Sequence, residues 1–382
     1  MNTISGCEEM EDYEVLTIYD RDHNKVGVID RYTSLIWVRR FQDAGEFELI
    51  LPWRSLYKEI MQPFFFIERE NGLSGGNYYE EMIIEKISVT QSAGDGIVMT
   101  VSGRDLTSIL AWRIIYSVDE SSNIHPDTYT AFAWISALVN ECFGEGAYKP
   151  RRLLNKSGEI GYTMYDRTND KDARVRACEA HVSLREVISD FCKSQGYGIY
   201  ILFDGTDYGI YVYKPEDKSS TVIFSEKFDN LADIDYTNDY TDYSNVARIS
   251  HDGQRYITVP GGADTKRDER YWGLNRRETA FSVELLGEPE SIPNSLKVIG
   301  TDKLSKKRNV YNISANLIQT GQFIYNKDYM LGDIVRVQTS FGPEMNAQIT
   351  EVAESWDASG YSIVPTLGNF EILEYDITGG EV

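Results

Sequence analysis

The sequence predicts a mainly β protein with an α+β insertion, carrying two similar antiparallel β-barrels per chain. Three observations lead there. The first hundred residues break into short alternating runs separated by glycine turns. Apolar spacing then switches from period two to helical periodicity. Strand-like runs return after Lys227, and one hairpin recurs at a fixed offset.

The elements follow in order. Glu14–Asp20 carries Val15, Leu16, Ile18 and Tyr19, and a turn at Asp22-His23-Asn24 leads to Val26–Ile29. Ser34–Phe41 is dense in β-formers, and Gln42-Asp43-Ala44-Gly45 predicts a turn with glycine at positive φ. In Glu46–Pro52, Phe47, Leu49 and Leu51 share one face, the period-two mark of a half-buried strand. Phe64–Arg69, Met82–Gln91 and Ile97–Gly103 complete this set, and many short strands with glycine turns argue a small barrel or sandwich.

Helical spacing begins at Leu106–Ile115. Asp127–Phe143 predicts a helix with Pro126 before it, Asp127 as N-cap and Gly144 beyond its end. Ser183–Lys193 predicts another, with Ser183 and Glu186 at capping-box spacing and Gly196 closing it. Strands are predicted over Tyr197–Phe203, Tyr208–Tyr213 and Thr221–Phe224. Asn245–Val259 is strand-like, 263–280 reads as an exposed loop, and Ile292–Arg308 as a helix. Tyr311–Leu317, Asp333–Thr339, Ala347–Glu354 and Tyr361–Thr366 are the last strands.

The hairpins Ile84–Gly103 and Ile349–Gly368 align without a gap at an offset of 265. Ile84 matches Ile349, Ile87 matches Val352, Ala93 matches Ala358, Val98 matches Ile363, Met99 matches Val364 and Gly103 matches Gly368. The predicted organisation is an N-terminal segment (1–13), a first β-barrel (14–115) and an α+β domain (116–224). A second β-barrel comes in two parts (225–260 and 310–371), interrupted by a loop and helix (261–309) and followed by a tail (372–382).

Composition narrows function. The 382 residues include 38 Lys+Arg against 60 Asp+Glu, a formal net charge of −22. Such a chain repels nucleic-acid phosphate and acidic membrane surfaces, so sequence-specific nucleic-acid binding is not expected. With 42% hydrophobic residues and 26 tyrosines it can bury substantial cores, which excludes global disorder. No stretch has the ~18 consecutive apolar residues of a membrane-spanning helix, and no stable membrane insertion is expected. Residues 1–13 are polar and acidic, unlike a signal peptide. Cys7, Cys142, Cys178 and Cys192 form no C-x-x-C pair and read as buried or free thiols.

Several patterns match chemical motifs in letters only. Gly72-Leu73-Ser74-Gly75-Gly76 fits G-x-S-x-G, but a nucleophile elbow needs a strand before it and a helix after it, and here strands flank both sides. Cys178 and His181 lie close in sequence without the lowered thiol pKa and positioned base that cysteine catalysis requires. His23, His125, His181 and His251 are scattered and show no zinc spacing. No catalytic, cofactor or metal residue is predicted. Residues 204–242 hold ten acids against three lysines. Within them Asp233 and Asp235 would share a strand face, with Asp239 and Asp242 beyond. Calcium would need a glycine turn that the segment lacks, so the default is a solvated acidic face. A glycosidase pair can be imagined among 60 acids but is not specified by them.

Longer stretches carry a resemblance. Residues 19–52, 82–115, 228–253 and 325–352 are similar to siphovirus-type tail proteins, and the resemblance spans about 14–370. The chain resembles the tail-tip or baseplate hub family, including the N-terminal hub part of tail-associated lysins. The resemblance implies a homotrimer whose six barrels match a sixfold tail tube or distal tail ring. It implies partners in that ring, in the tape-measure protein's C-terminus and in tail fibre or tip proteins, with DNA ejected through the lumen. The virion tail tip, assembled in the host cytoplasm, is the implied location. Lysins continue into an enzymatic or fibre region where this chain stops at Val382, so a structural protein rather than an enzyme is expected. A lysin's hub portion and a carbohydrate-binding tail module, motivated by tyrosine-rich sheets, are the alternatives. Asp233, Asp235, Asp239 and Asp242 are the expected channel-lining residues, since lining carboxylates repel phosphate within a Debye length of roughly 8 Å.

Overall fold

The computed structural model describes residues 14–70, 79–92, 96–116, 127–251, 253, 255–285, 292–307, 310–317, 322–340 and 344–372. Gly72–Gly76, Ala93, His125 and Cys7 lie outside them. The described residues are mainly β, and they divide into two units. The first comprises Met1–Arg39, Gly45–Asp105 and Val352–Val364; the second comprises Arg40–Ala44, Leu106–Glu351 and Pro365–Val382.

In the first unit β1 (Leu16–Tyr19), β2 (Lys25–Ile29), β3 (Ser34–Arg40) and β4 (Glu46–Pro52) precede a single helical turn, α1 (Tyr57–Ile60). Then come β5 (Phe66–Glu70), β6 (Tyr79–Ser92) and β7 (Gly96–Asp105). Neighbours run β3-β4-β7-β6-β5-β1-β2, antiparallel throughout. Alternation in β4 is as predicted: Phe47, Leu49 and Leu51 are buried and join Leu16, Ile18, Trp37, Ile67 and Val101 in one core. Trp356 completes that core. Among the described strands the path ends at β2 without closing, so the sheet is an open one here.

Two glycines hold close backbone approaches. Gly45 is not at positive φ, contrary to the expectation for its turn. Its role is proximity, because a Cβ there would collide with the Val38 carbonyl oxygen. Gly103 sits opposite an irregularity between Ile84 and Lys86. That bulge pushes the backbone towards β7, and a Cβ on Gly103 would strike the Ile83 carbonyl.

In the second unit, Leu106–Trp112 is a 3-10 helix where α-helical spacing was expected. β8 (Asp127–Tyr129) pairs with β10 (Arg174–Arg176). Asp127 is therefore extended and does not cap; Thr130 is the N-cap of α2 (Ala131–Phe143), its side chain accepting the Ala133 N–H. β9 (Tyr162–Arg167), absent from the sequence reading, runs parallel to β12 (Tyr208–Tyr213), which pairs antiparallel with β11 (Gly198–Phe203). α3 (Leu184–Gln195) starts at Ser183 without a side-chain cap. Ser183 is engaged in a bridge with Ile114 and its side chain takes no helix N–H, so no capping box forms. Gly196 closes α3, as predicted, and does so in the left-handed conformation. Trp134 of α2 packs on Phe191 of α3 at 4.8 Å.

β13 (Ile223–Ser225) leads to β14 (Leu231–Asp239). The expected single run to Val259 is a hairpin, β15 (Val246–His251) and β16 (Arg255–Val259). The predicted loop conceals β17 (Glu278–Val283), parallel to β15. α4 (Ile292–Ser305) buries Ile292, Leu296 and Ile299 against Ile249 and Val283 of this small sheet. β18 (Val310–Leu317) and β19 (Ile334–Gln338) follow, and β20 (Met345–Asp357) with β21 (Gly360–Ile372) form the last hairpin. In this unit β14 pairs with β18, β18 with β21, and β19 lies between β13 and β20.

An offset of 265 carries β6 and β7 onto β20 and β21 with ends agreeing to within two residues. Ile84 and its counterpart Ile349 are both fully buried. The repeat read in the sequence is thus a repeated hairpin.

Candidate functional surfaces

The acidic segment forms β14, at one end of its sheet path. Its pairing with β18 is irregular between Ala232 and Asp235, so the simple alternation that would put Asp233 and Asp235 on one face is interrupted. The side chain of Asp233 lies outside the described residues. Asp235, Asp239 and Asp242 are exposed. Asp239 accepts the Thr241 N–H at 2.8 Å, and that bond holds its carboxyl below the usual range. A turn follows in which Tyr240 and Tyr243 pack edge to face at 5.3 Å, leaving Asp242 in solvent. Exposed carboxyl side chains at Asp235 and Asp239 of this end strand disfavour anions and unselective edge pairing.

Among the described residues the cysteine and histidine candidates do not come together. Cys178 is buried, and burial pushes its thiol far up. His181 is exposed at φ 63°, and its backbone N–H donates to the Ile115 carbonyl at 2.6 Å. No hydrogen bond joins the two. Burial also pushes the Cys142 thiol to about 11 and the Cys192 thiol to about 12, far from a reactive thiolate. His23 stacks on Phe66 at 4.2 Å and lies 3.4 Å from Glu81. His251 accepts the Leu285 N–H at 3.2 Å. Among the described residues no cluster of three His, Cys, Asp or Glu could hold a metal ion, and no helix is long and apolar enough to cross a membrane. A surface hollow of about 480 Å³ is lined by Ser225, Glu226, Lys227, Gln338, Thr339, Ser340 and Glu344. Ser340 N–H holds the Glu226 carboxyl down, the opposite of what a general acid requires.

Sequence reasoning missed a buried ionic cluster in the first unit. Arg39 and Arg69 face Glu80 and Glu354. Arg39 reaches Glu80 at 3.1 Å and also binds Glu354. Arg69 reaches Glu80 at 2.9 Å and Glu354 at 2.6 Å. Tyr361 donates to the remaining Glu354 oxygen at 2.7 Å. Two cations and two anions make the cluster neutral, which offsets the cost of burying them. No local pattern announces it, because the partners come from four separate strands.

The second unit has a smaller clamp built on the predicted 42–45 turn. Asp43 accepts from Arg185 at 2.8 Å and from Lys193 at 2.9 Å. Burial raises its carboxyl pKa, but the two cations outweigh it and the net shift is downward. The Gln42 amide donates to the Cys192 and Tyr197 carbonyls at 3.0 and 3.1 Å, tying the turn to the end of α3.

A family profile described as Siphovirus ReqiPepy6 Gp37-like protein matches residues 15–369. The chain belongs to this family. Three solved structures share the fold of this Gp37-like chain. A tail protein from Neisseria meningitidis MC58 is 12% identical at a TM-score of 0.54, covering 94% of this chain and 97% of that one. The prophage MuSo2 43 kDa tail protein from Shewanella oneidensis is 15% identical at 0.55, covering 93% and 98%. The prophage tail protein gp18 from Listeria monocytogenes EGD-e is 10% identical at 0.52, covering 94% and 95%. No curated protein matches the Gp37-like chain significantly.

Proposed function

We propose that this Gp37-like chain is a structural protein of a phage tail, the hub of its tip or baseplate. The carrying observation is that family membership spans nearly the whole chain while the fold is shared, end to end, with solved tail proteins. In this reading three copies form a ring beneath a sixfold tail tube or distal tail ring. The hairpin repeated at an offset of 265 supports it, since two related elements per chain give a threefold ring six similar positions. Each hairpin would belong to one barrel completed within the ring. The tape-measure C-terminus would end at the ring, and fibre or tip proteins would attach below.

DNA would pass along the ring axis. Asp235, Asp239 and Asp242, exposed on one segment, are the side chains proposed for the lumen, with Asp233 beside them in sequence. Their role is passive: repelling phosphate keeps DNA from sticking during ejection. No catalytic step is assigned. The chain would assemble in the host cytoplasm and reside in the virion tail tip.

The test is the mass of the purified chain by light scattering, with imaging of the tail tip. Three copies capping a sixfold ring are expected. A stable monomer or dimer, with no copies at the tail tip, overturns the reading.

A further inference from the structure

The segment Gly261–Arg277 between β16 and β17 is neither strand nor α-helix, yet it is firmly built. Asn245 donates to the Arg270 and Asn275 carbonyls at 2.7 and 2.8 Å and accepts the Arg277 N–H at 2.9 Å. Arg276 binds Asp264 and Glu278, each at 2.6 Å, and the Ala263 carbonyl at 3.0 Å. The Trp272 indole N–H donates inside the loop, to the Lys266 carbonyl at 3.0 Å.

This rigid frame holds an apolar crown in water. Leu274 is 98% exposed and Trp272 45%. With its indole N–H already satisfied, Trp272 offers only apolar ring to the outside. A pre-organised loop lifting a leucine and a tryptophan off the surface has the anatomy of an interface anchor.

Charge indicates what the anchor meets. Residues 261–277 hold five cations and three acids, so the loop carries +2 and the rest of the chain −24. Lys266, Arg267 and Arg277 are exposed, and none has a carboxylate partner among the described residues. The crown is therefore an apolar centre with a basic rim on an otherwise acidic molecule.

We propose that the 261–277 loop is a knob that seats on an acidic face of a second copy of this chain. The contact is heterologous: each copy offers its knob to the next, which is the geometry that closes a ring. The inference rests on the ring reading above and adds the element that joins neighbours.

The experiment compares the full-length wild type with Leu274→Asp, Arg267→Glu/Arg277→Glu and the conservative Leu274→Met, by light scattering over a concentration series at low and high salt. Circular dichroism confirms that the exposed substitutions leave the fold intact. Leu274→Asp should weaken self-association by about 30-fold or more, the scale of an interface hot spot. The arginine reversals should weaken it most at low salt, and Leu274→Met should behave as wild type. If wild type forms the ring and Leu274→Asp and the reversals form it equally well, the knob is refuted and the ring reading stands. If those variants self-associate normally but fail to bind another tail protein, the occupant is not a second copy and the proposal is overturned. A wild type that stays monomeric at micromolar concentration removes the ring reading and the knob together.

Discussion

Arg69 and Glu354 stand 285 positions apart in the chain and meet at 2.6 Å. The guanidinium lies 5.1 Å from the Trp37 ring and 5.0 Å from the Trp356 ring. With Arg69 3% and Glu354 6% exposed, this contact fastens the Val352–Val364 hairpin tip into the first unit's core. Removing Arg69 leaves two carboxylates buried with one cation. Arg69→Met should therefore cost about 3–5 kcal/mol. Arg69→Met/Glu354→Met should recover part of that loss, because it removes one orphaned charge. Thermal denaturation of the three proteins checks it, and a single variant as stable as wild type would refute the network.

Glu68 lies directly across from Glu81 on the neighbouring strand. Burial, then the Glu81 charge, pushes the Glu68 carboxyl up to about 7, although Tyr19 donates to it at 3.2 Å. The Tyr19 hydrogen bond and the Lys25 charge oppose the rise. A carboxyl raised above its unfolded value binds more protons when folded, so stability falls as pH rises from about 4.5 to about 7 and then levels. Glu68→Gln, whose amide oxygen can still accept from Tyr19, should be more stable than wild type at pH 8. The gain should be about 1 kcal/mol, discounted because the group is only half-buried, and should vanish towards pH 4.5. Denaturant melts across this range decide it; a constant difference at every pH would contradict the assignment.

Gly103→Ala should destabilise the first unit by roughly 1–3 kcal/mol, since the new methyl meets backbone atoms of Ile83 and Glu85 that cannot swing aside. The comparison is Gly261→Ala, where a Cβ meets nothing within 4 Å. Equal melting temperatures for the two variants would refute the close approach.

Lumen electrostatics can be tested in particles. In the proposed threefold ring, reversing Asp235 and Asp239 to Lys would add six cations. Tails should assemble, eject DNA more slowly at low salt and recover as salt rises, because phosphate contacts release counterions. Unchanged ejection at low salt removes β14 from the channel.

Much of the strand pattern was legible because burial acts through local periodicity. β4 and β12 occupy the predicted residues because alternation and turn residues agree there. Helix starts were misread where tertiary pairing overrode local capping. Pairing of β8 with β10 holds Asp127 in extended backbone, and Ser183, bridged to Ile114, makes no side-chain cap. β9 and β17 were missed because both pair in parallel with distant strands, which leaves no hairpin signal. The Arg39–Arg69–Glu80–Glu354 cluster was invisible for a related reason: its charges look like surface residues until the strands assemble. Asp235, Asp239 and Asp242 could be picked out as an exposed acidic row, but the bulge beside Asp235 could not.

The central claim is that this Gp37-like chain forms a threefold hub at a phage tail tip. Image reconstruction of the tail tip, without imposed symmetry, tests it most directly. The prediction is three copies of the chain around the axis, each placing its 79–105 and 345–372 hairpins at two of six similar positions beneath a sixfold ring. Six copies, a single off-axis copy, or a threefold ring in which the two hairpins occupy unrelated positions would contradict it.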